Sequence, residues 1–224
     1  MSRLLRIAVD GPSGAGKSYL ADQIAAALSL IHVDTGALYR AIGLFVQRKG
    51  IAPEDSASII ACLSEIDISL RFGNGGQATV LCGEDVSPYL RTPEISHYAS
   101  VVSAIPEVRT FLLETQRSIA KTTPVILDGR DIGTVILPEA DVKLFLVADD
   151  DARAERRLRE LLEKGIQTTK EEVLADLRSR DARDQSRDTA PAKPAEDAVF
   201  LDNSRMTREE TVAAALAVIR EKIG

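Results

Sequence analysis

The 224 residues predict an α/β fold of three layers around a central parallel sheet, and three observations carry that expectation. Apolar segments of strand length alternate with longer stretches of helical periodicity along most of the chain. The strand candidates, Val125-Ile126-Leu127 most clearly, are apolar at consecutive positions, as happens where helices cover both faces of a sheet. The first strand candidate also runs directly through a glycine-rich turn into a helix.

Residues 5–9 read as that first strand, and 19–28 as the helix, with Leu20, Ile24, Ala27 and Leu28 on one face. Residues 30–33 are a second strand ending at Asp34-Thr35. Residues 38–49 carry Leu38, Ile42, Phe45 and Val46 on a helical face and stop at Gly50, and 53–63 predict another helix with Pro53 in its first turn. The pattern then alternates over 67–72, turns at Gly73-Asn74-Gly75-Gly76, runs extended over 79–82 and turns again at 83–85. This is a small antiparallel meander; its glycine cluster lacks a lysine and leads into a strand, so it reads as a hairpin turn. Residues 106–121 return to helix, with Val108, Phe111, Leu112, Thr115 and Ile119 spaced for one face. Residues 125–128 are a buried strand ending in a carboxylate, and 142–147 are another. Residues 150–164 and 169–184 are charged helices, the second opened by the capping box Thr169-Lys170-Glu171-Glu172. A loop with Pro191 and Pro194 precedes the last strand at 198–202, and Thr207-Arg208-Glu209-Glu210 caps a closing helix to 223. The chain therefore suits one domain over 1–224, interrupted by the meander near 65–90 and the charged pair near 150–188.

Composition excludes several classes. A net charge of −6 argues against a nucleic-acid polymer as general partner. No apolar run approaches the ~20 residues of a membrane span, and Met1-Ser2-Arg3 leads into a strand instead of a signal peptide, so a cytoplasmic protein with no membrane partner is expected. Cys62 and Cys82 lack metal-site spacing and read as free thiols. His32 and His97 are isolated, which favours ordinary surface or packing roles over a metal site.

The run Gly11-Pro12-Ser13-Gly14-Ala15-Gly16-Lys17-Ser18 matches the phosphate-binding pattern G-x-x-x-x-G-K-[ST] at every fixed position. Its glycines let the backbone wrap an anion, so that N–H groups and the helix N-terminus face the phosphates. Lys17 supplies charge for the β- and γ-phosphates, and the Ser18 hydroxyl is placed to ligate Mg²⁺. These features assign a P-loop NTPase fold and an ATP-type donor. Strand 125–127 delivers Asp128 to the carboxyl edge of the sheet, where it can hold Mg²⁺ directly or through water. The following Gly129-Arg130-Asp131 puts costly charge at a buried strand end, which a polar ligand would use; a self-contained Arg–Asp ion pair is the alternative. In the charged helices Arg153 and Arg157 share one face, as do Arg180, Asp184 and Arg187 if that helix continues. Arginines there suit a transferred phosphoryl group, and basic helices folding over a nucleotide would exclude water. Arg156 and Arg159 read as a solvated face, with pairs such as Glu155 with Arg159. Capping of the next helix accounts for Asp34.

Together these segments resemble the bacterial cytidylate kinases of the nucleoside monophosphate kinase group, over essentially the whole chain. The resemblance rests on residues 10–17 and on Asp34-Thr35-Gly36-Ala37-Leu38-Tyr39-Arg40. It continues through Gly83-Glu84-Asp85-Val86, Arg91-Thr92-Pro93-Glu94, Asp128-Gly129-Arg130-Asp131-Ile132-Gly133-Thr134 and Arg180-Asp181-Ala182-Arg183-Asp184. It implies a core, a monophosphate-binding insertion over roughly 35–100 that contains the meander, and a short helical lid over roughly 150–188. By resemblance, Arg40, Arg130 and Arg187 hold the CMP phosphate and Asp184 meets the ribose. Ser100, Arg109 and Asp131 read the cytosine, Thr35 joins the CMP site, and Arg180 approaches the transfer point. Lys17, Arg130 and Arg180 form the catalytic set. Residues 11–19 with Arg153 and Arg157 form the ATP site, with Mg²⁺ at Ser18 and Asp128.

Cytosine's amino donor beside ring and carbonyl acceptors complements a carboxylate, a cation and a hydroxyl, so CMP and dCMP are expected over UMP. Tyr19 departs from the small hydroxyl residue common in the family. The implied activity is ATP + CMP giving ADP + CDP, by a monomer. The alternatives are a P-loop kinase for UMP, AMP or a metabolite, or a nucleotide-binding scaffold. A GTPase switch would need a guanine-reading Asn-Lys-x-Asp segment, and the sequence has none.

Overall fold

The computed structural model describes residues 4–73 and 76–224. Met1-Ser2-Arg3 and the two central residues of the glycine turn, Asn74 and Gly75, lie outside them. Five strands form a parallel sheet: β1 (Arg6–Asp10), β2 (Ile31–Asp34), β6 (Val125–Asp128), β7 (Val142–Val147) and β8 (Val199–Asp202), in the order β2-β6-β1-β7-β8. Register runs Ile7 to Ile126 and Asp34 to Asp128, so β1, β2 and β6 present their carboxyl ends side by side.

Alternation along β1 divides the core. Ile7 and Val9 face α1 (Lys17–Leu28) and α8 (Arg208–Ile223), packing with Leu20, Ile24, Ala215 and Ile219. Ala8 faces the other way, with Val33, Leu127 and Ala120 of α5 (Pro106–Ala120). Helices on both sides explain why the strands are apolar at consecutive positions.

Between β2 and β6 the chain builds a lobe with its own apolar core. It comprises α2 (Thr35–Arg48), α3 (Ser56–Cys62), the antiparallel sheet β3 (Ile68–Gly73), β4 (Gly76–Leu81) and β5 (Glu84–Asp85), then α4 (Pro93–Val102). Its cluster of Leu38, Ile42, Ile59, Val86, Val102 and Val108 continues to Leu112 in α5. Between β7 and β8 stand α6 (Asp150–Glu163) and α7 (Lys170–Gln185), joined by a small cluster of Ala154, Val173 and Leu177. No helix among the described residues is long and apolar enough to cross a membrane.

Several boundaries differ from the sequence reading, and capping explains most. The Asp34 side chain accepts from Ala37 N at 3.2 Å, so α2 begins at Thr35, three residues early. Asp55 accepts from Ser58 N, so α3 starts at Ser56 and leaves Pro53 outside. Residues 84–85 pair with β4 where a turn was expected. Helix α4 was not anticipated, although Thr92 caps it through Ile95 N and Pro93 follows. The boxes at Thr169 and Thr207 form as expected.

Beyond β6 comes a single π-helical turn, Ile132–Ile136, closed by Leu137 N donating to Ile132 O at 2.7 Å. The buried Asp10 carboxylate pins it, accepting from Ile132 N and Gly133 N at 2.8 Å each. Two close approaches demand glycine. A Cβ on Gly11 would lie 2.1 Å from Leu146 O at a φ of 145°, and one on Gly43 would lie 2.9 Å from Tyr98 Cβ where α2 crosses α4.

Two expectations follow. Gly43→Ala should destabilise the chain by about 1–3 kcal/mol through overpacking of the α2–α4 crossing, seen as a lower denaturation midpoint. Burial raises the Asp10 carboxyl to about 6, against the lowering pull of its two backbone hydrogen bonds. The folded state therefore holds this proton more tightly than the unfolded chain. The stabilisation is complete below pH ~4 and is lost as pH rises through 6, a change of about 3 kcal/mol. Asp10→Asn should remove that slope from a plot of unfolding free energy against pH.

Candidate active site

The phosphate loop and the carboxyl ends of β2 and β6 open onto a cleft of about 650 Å³, bounded by α2, α4, α6 and α7. The left-handed backbone at Gly14 and Gly16 wraps the loop, and α1 begins at Lys17. Lys17 is buried, its Nζ donating to Pro12 O at 2.7 Å. Burial and the nearby Arg130 charge push its ammonium down to about 7. Such a cation gains from an anion placed beside it.

Asp128 at the end of β6 organises the centre of the cleft. Its Oδ2 accepts from Ser18 Oγ at 2.9 Å, its Oδ1 meets His32 Nε2 at 2.7 Å, and its carbonyl accepts from Thr35 Oγ1 at 2.8 Å. The other His32 nitrogen meets Asp22 at 2.6 Å. Burial opposes charge on the ring, but the two carboxylates win and push His32 up to about 10. Burial also works to raise Asp128, yet the His32 hydrogen bond and charge, with Lys17 and Ser18, hold it below the usual carboxylate range. The surface-or-packing role expected of His32 is thus corrected. No spacing rule could have found it, because β2 lies beside β6 only through the sheet order.

Arg130 and Asp131 do not form the self-contained pair weighed from sequence. Arg130 Nε donates to Asp184 on α7 at 2.9 Å, while Asp131 pairs with Arg109 of α5. Arg109 also donates to Ser103 O at 3.1 Å and stacks 5.4 Å from the Tyr39 ring centroid. Arg187, two residues past α7, curls back to Asp184 and reaches Ser103 Oγ at 3.0 Å. Ser100 and Arg109, which sequence alone reads as surface positions, are both buried, and Ser100 Oγ has no hydrogen-bond partner among the described residues. Ser103, which holds two of the arginines, was missed altogether.

At the start of α2 Arg40 donates to Asp34 at 2.5 Å, so Asp34 is an ion-pair partner as well as a helix cap. Arg180 enters from α7 with a buried Nε that has no hydrogen-bond partner among the described residues; burial and the Arg130 charge lower its guanidinium to about 10. Buried, mutually repelling guanidinium groups in one cleft call for an anion.

Behind the loop the arrangement departs from the sequence reading. Arg153 does not line the cleft; its Nη1 donates to Ser13 O at 2.9 Å and it pairs with Asp181 and Asp150 at 2.5 Å each. It supports the loop from below. Arg157 does line the cleft, paired with Glu160. Arg156, expected on a solvated face, is half-buried against Asn203, whose amide donates to Ala15 O at 3.0 Å. Glu155 pairs with Lys170 instead of Arg159, which is exposed as expected. Tyr19 lines the cleft beneath Arg208, 4.9 Å from its ring centroid. Thr35, Arg40, Ser100, Arg109, Arg130, Asp131, Arg180, Asp184 and Arg187 all reach the same cleft as Lys17 and Ser18.

Comparison with known proteins shows the family to which the chain belongs. The cytidylate kinase family model matches residues 7–221. A cytidylate kinase from Caldicellulosiruptor bescii is 44% identical over 212 residues, covering 95% of this chain and 94% of the relative. Another from Caldanaerobacter subterraneus is 46% identical over 217 residues, covering 97% and 95%. An uncharacterized protein from Eubacterium ventriosum shares the fold with a TM-score of 0.51 at 10% identity, covering 97% of this chain and 99% of that one. With the family model spanning residues 7–221 and relatives 44% and 46% identical over nearly its whole length, this chain belongs to the cytidylate kinase family.

Proposed function

We propose that this chain transfers the γ-phosphoryl group of ATP to CMP, and to dCMP, giving ADP and CDP or dCDP. One observation carries the reading: a buried Arg109–Asp131 pair and an unpartnered Ser100 hydroxyl line the same cleft as Lys17 and Ser18. The polar edge of a cytosine offers an amino donor to Asp131 and acceptors to Arg109 and Ser100. Uracil would present an acceptor to the carboxylate, leaving buried groups mispaired.

The attacking oxygen of CMP is already anionic, so the reaction needs no general base. What remains is alignment and stabilisation of the charge on the transferred group. Lys17 and the backbone of residues 11–18 cradle the donor phosphates. Arg40, Arg130 and Arg187 hold the CMP phosphate, Asp184 receives the ribose, Thr35 closes the floor, and Arg180 faces the phosphoryl group in transit. Arg40 is held by Asp34, Arg130 and Arg187 by Asp184, and Arg109 by Asp131 before substrate arrives, so little reorganisation is needed. Residues 35–100 serve as the acceptor-binding lobe and 150–188 as a lid whose Arg157 and Arg180 exclude water.

A hydroxyl and a carboxylate 2.9 Å apart beside a phosphate loop are hard oxygen donors that suit Mg²⁺, which binds few protein ligands and relies on substrate phosphates. Ser18 and Asp128 would hold it, Asp128 directly or through water, and when bound it neutralises charge on the β- and γ-oxygens.

Lys17→Ala and Arg130→Ala should each lower kcat by roughly 10²-fold or more with circular dichroism unchanged; normal turnover in either would sink the roles assigned. A coupled ADP assay over CMP, dCMP, UMP and AMP tests the acceptor. Its expected outcome is CMP and dCMP ahead of UMP by at least ~10² in kcat/KM, and comparable UMP rates would overturn the reading of Asp131.

A further inference from the structure

The carboxyl end of β2 is an edge of the main sheet, and an edge strand leaves backbone groups unpaired. At Asp34 a side chain from the meander meets them. Asp34 N donates to Gln77 Oε1 at 2.9 Å, and Gln77 Nε2 donates to Asp34 O at 3.1 Å. The primary amide of Gln77 thus does at the sheet edge what the peptide group of a further strand would do. It fixes both the N–H and the C=O of one residue, and so the orientation of that residue's Cα–Cβ bond.

Asp34 is not an arbitrary residue to fix. Its Oδ1 caps α2 through Ala37 N at 3.2 Å, and its Oδ2 accepts from Arg40 at 2.5 Å with Arg91 3.8 Å away. Arg40 Nε is buried without a hydrogen-bond partner among the described residues, so the carboxylate that binds its Nη2 is what aims its guanidinium. A continuous line runs from the meander amide, through the Asp34 backbone and carboxylate, to the arginine. Gln77 itself is half-buried on β4, opposite Phe72, and does not line the cleft.

We propose that Gln77 is a positioning residue for the acceptor phosphate, acting through Asp34 to aim Arg40. The proposal rests on the reading of Arg40 as a CMP-phosphate ligand. It gives the small antiparallel sheet a part in acceptor binding: the meander brings the amide that locks the edge of the main sheet at the point where the acceptor's phosphate is held.

The test is a set of variants in which only one substrate should feel the change. Gln77→Leu keeps the bulk and removes both hydrogen bonds. It should raise KM for CMP roughly tenfold, with KM for ATP and kcat at saturating CMP within about twofold of the parent. Gln77→Glu keeps an acceptor for Asp34 N but loses the donor and sets a second carboxylate beside Asp34. It should shift KM for CMP in the same direction, and carries the comparison alone if Gln77→Leu fails to fold. In an Arg40→Ala background the Gln77 substitution should add nothing further to KM for CMP, since it acts through the missing group. A purely structural amide would instead move both KM values together, or add its effect to that of Arg40→Ala; either result overturns the proposal. So does a parent-like KM for CMP in Gln77→Leu while Arg40→Ala is impaired. If Arg40→Ala itself binds CMP normally, the phosphate reading of Arg40 falls, and the proposal with it.

Discussion

Everything at this site hangs on one buried carboxylate. Asp128 stands where β6 ends, with β1 on one side and β2 on the other, and it is only 4% exposed. Through it the first residues of α1, the middle of β2 and the start of α2 are held together by Ser18, His32 and Thr35. A charge so buried is tolerable only because each oxygen and the carbonyl has a partner, all three of which lie more than ninety residues away in sequence. The phosphate loop could form its turn alone. Its registration against the rest of the cleft comes from Asp128.

The second constraint is repulsion among cations. Arg40, Arg109, Arg130, Arg180 and Arg187 converge on one cavity, and Arg40, Arg109, Arg130 and Arg187 are paired there with a carboxylate: Asp34, Asp131 or Asp184. Buried pairs of this kind contribute little net stability and suit a site that must be aimed in advance. Asp10 serves the same end at one remove, since its carboxylate fixes the π-helical turn that directly follows Asp131. The fold keeps a charged surface organised by spending buried acids on it, which an overall charge of −6 does not reveal.

Much of the architecture was legible in the chain. Strand–helix alternation, the meander, the charged pair of helices and both capping boxes stand close to where periodicity and cap chemistry put them. Local signals sufficed because each arises within a few residues. Helix α4 had such a signal in Thr92-Pro93 and was overlooked beside the turns that precede it. Partner choice was not legible. Arg130 and Asp131 are adjacent, and a self-contained pair was only the alternative to their use by a polar ligand; consecutive side chains at a strand end leave in different directions, and each found its counter-ion on another element. Arg153 and Arg156 show the same limit: one was expected at the nucleotide and supports the loop from behind, while the other was expected in solvent and braces Asn203.

By itself the sequence determined the fold class, the phosphate loop with Lys17 and Ser18, and the presence of acids and arginines suited to a phosphorylated pair of substrates. These follow from residue type and short spacing, which the covalent chain carries directly. Tertiary structure alone decided that His32 would share Asp128 with Ser18, that Gln77 would seal the edge at Asp34, and that Ser103 would hold two arginines. Those contacts depend on strand order and on which helix face is turned inward. Both are settled by burying apolar surface over the whole domain, and no local stretch of the chain encodes them.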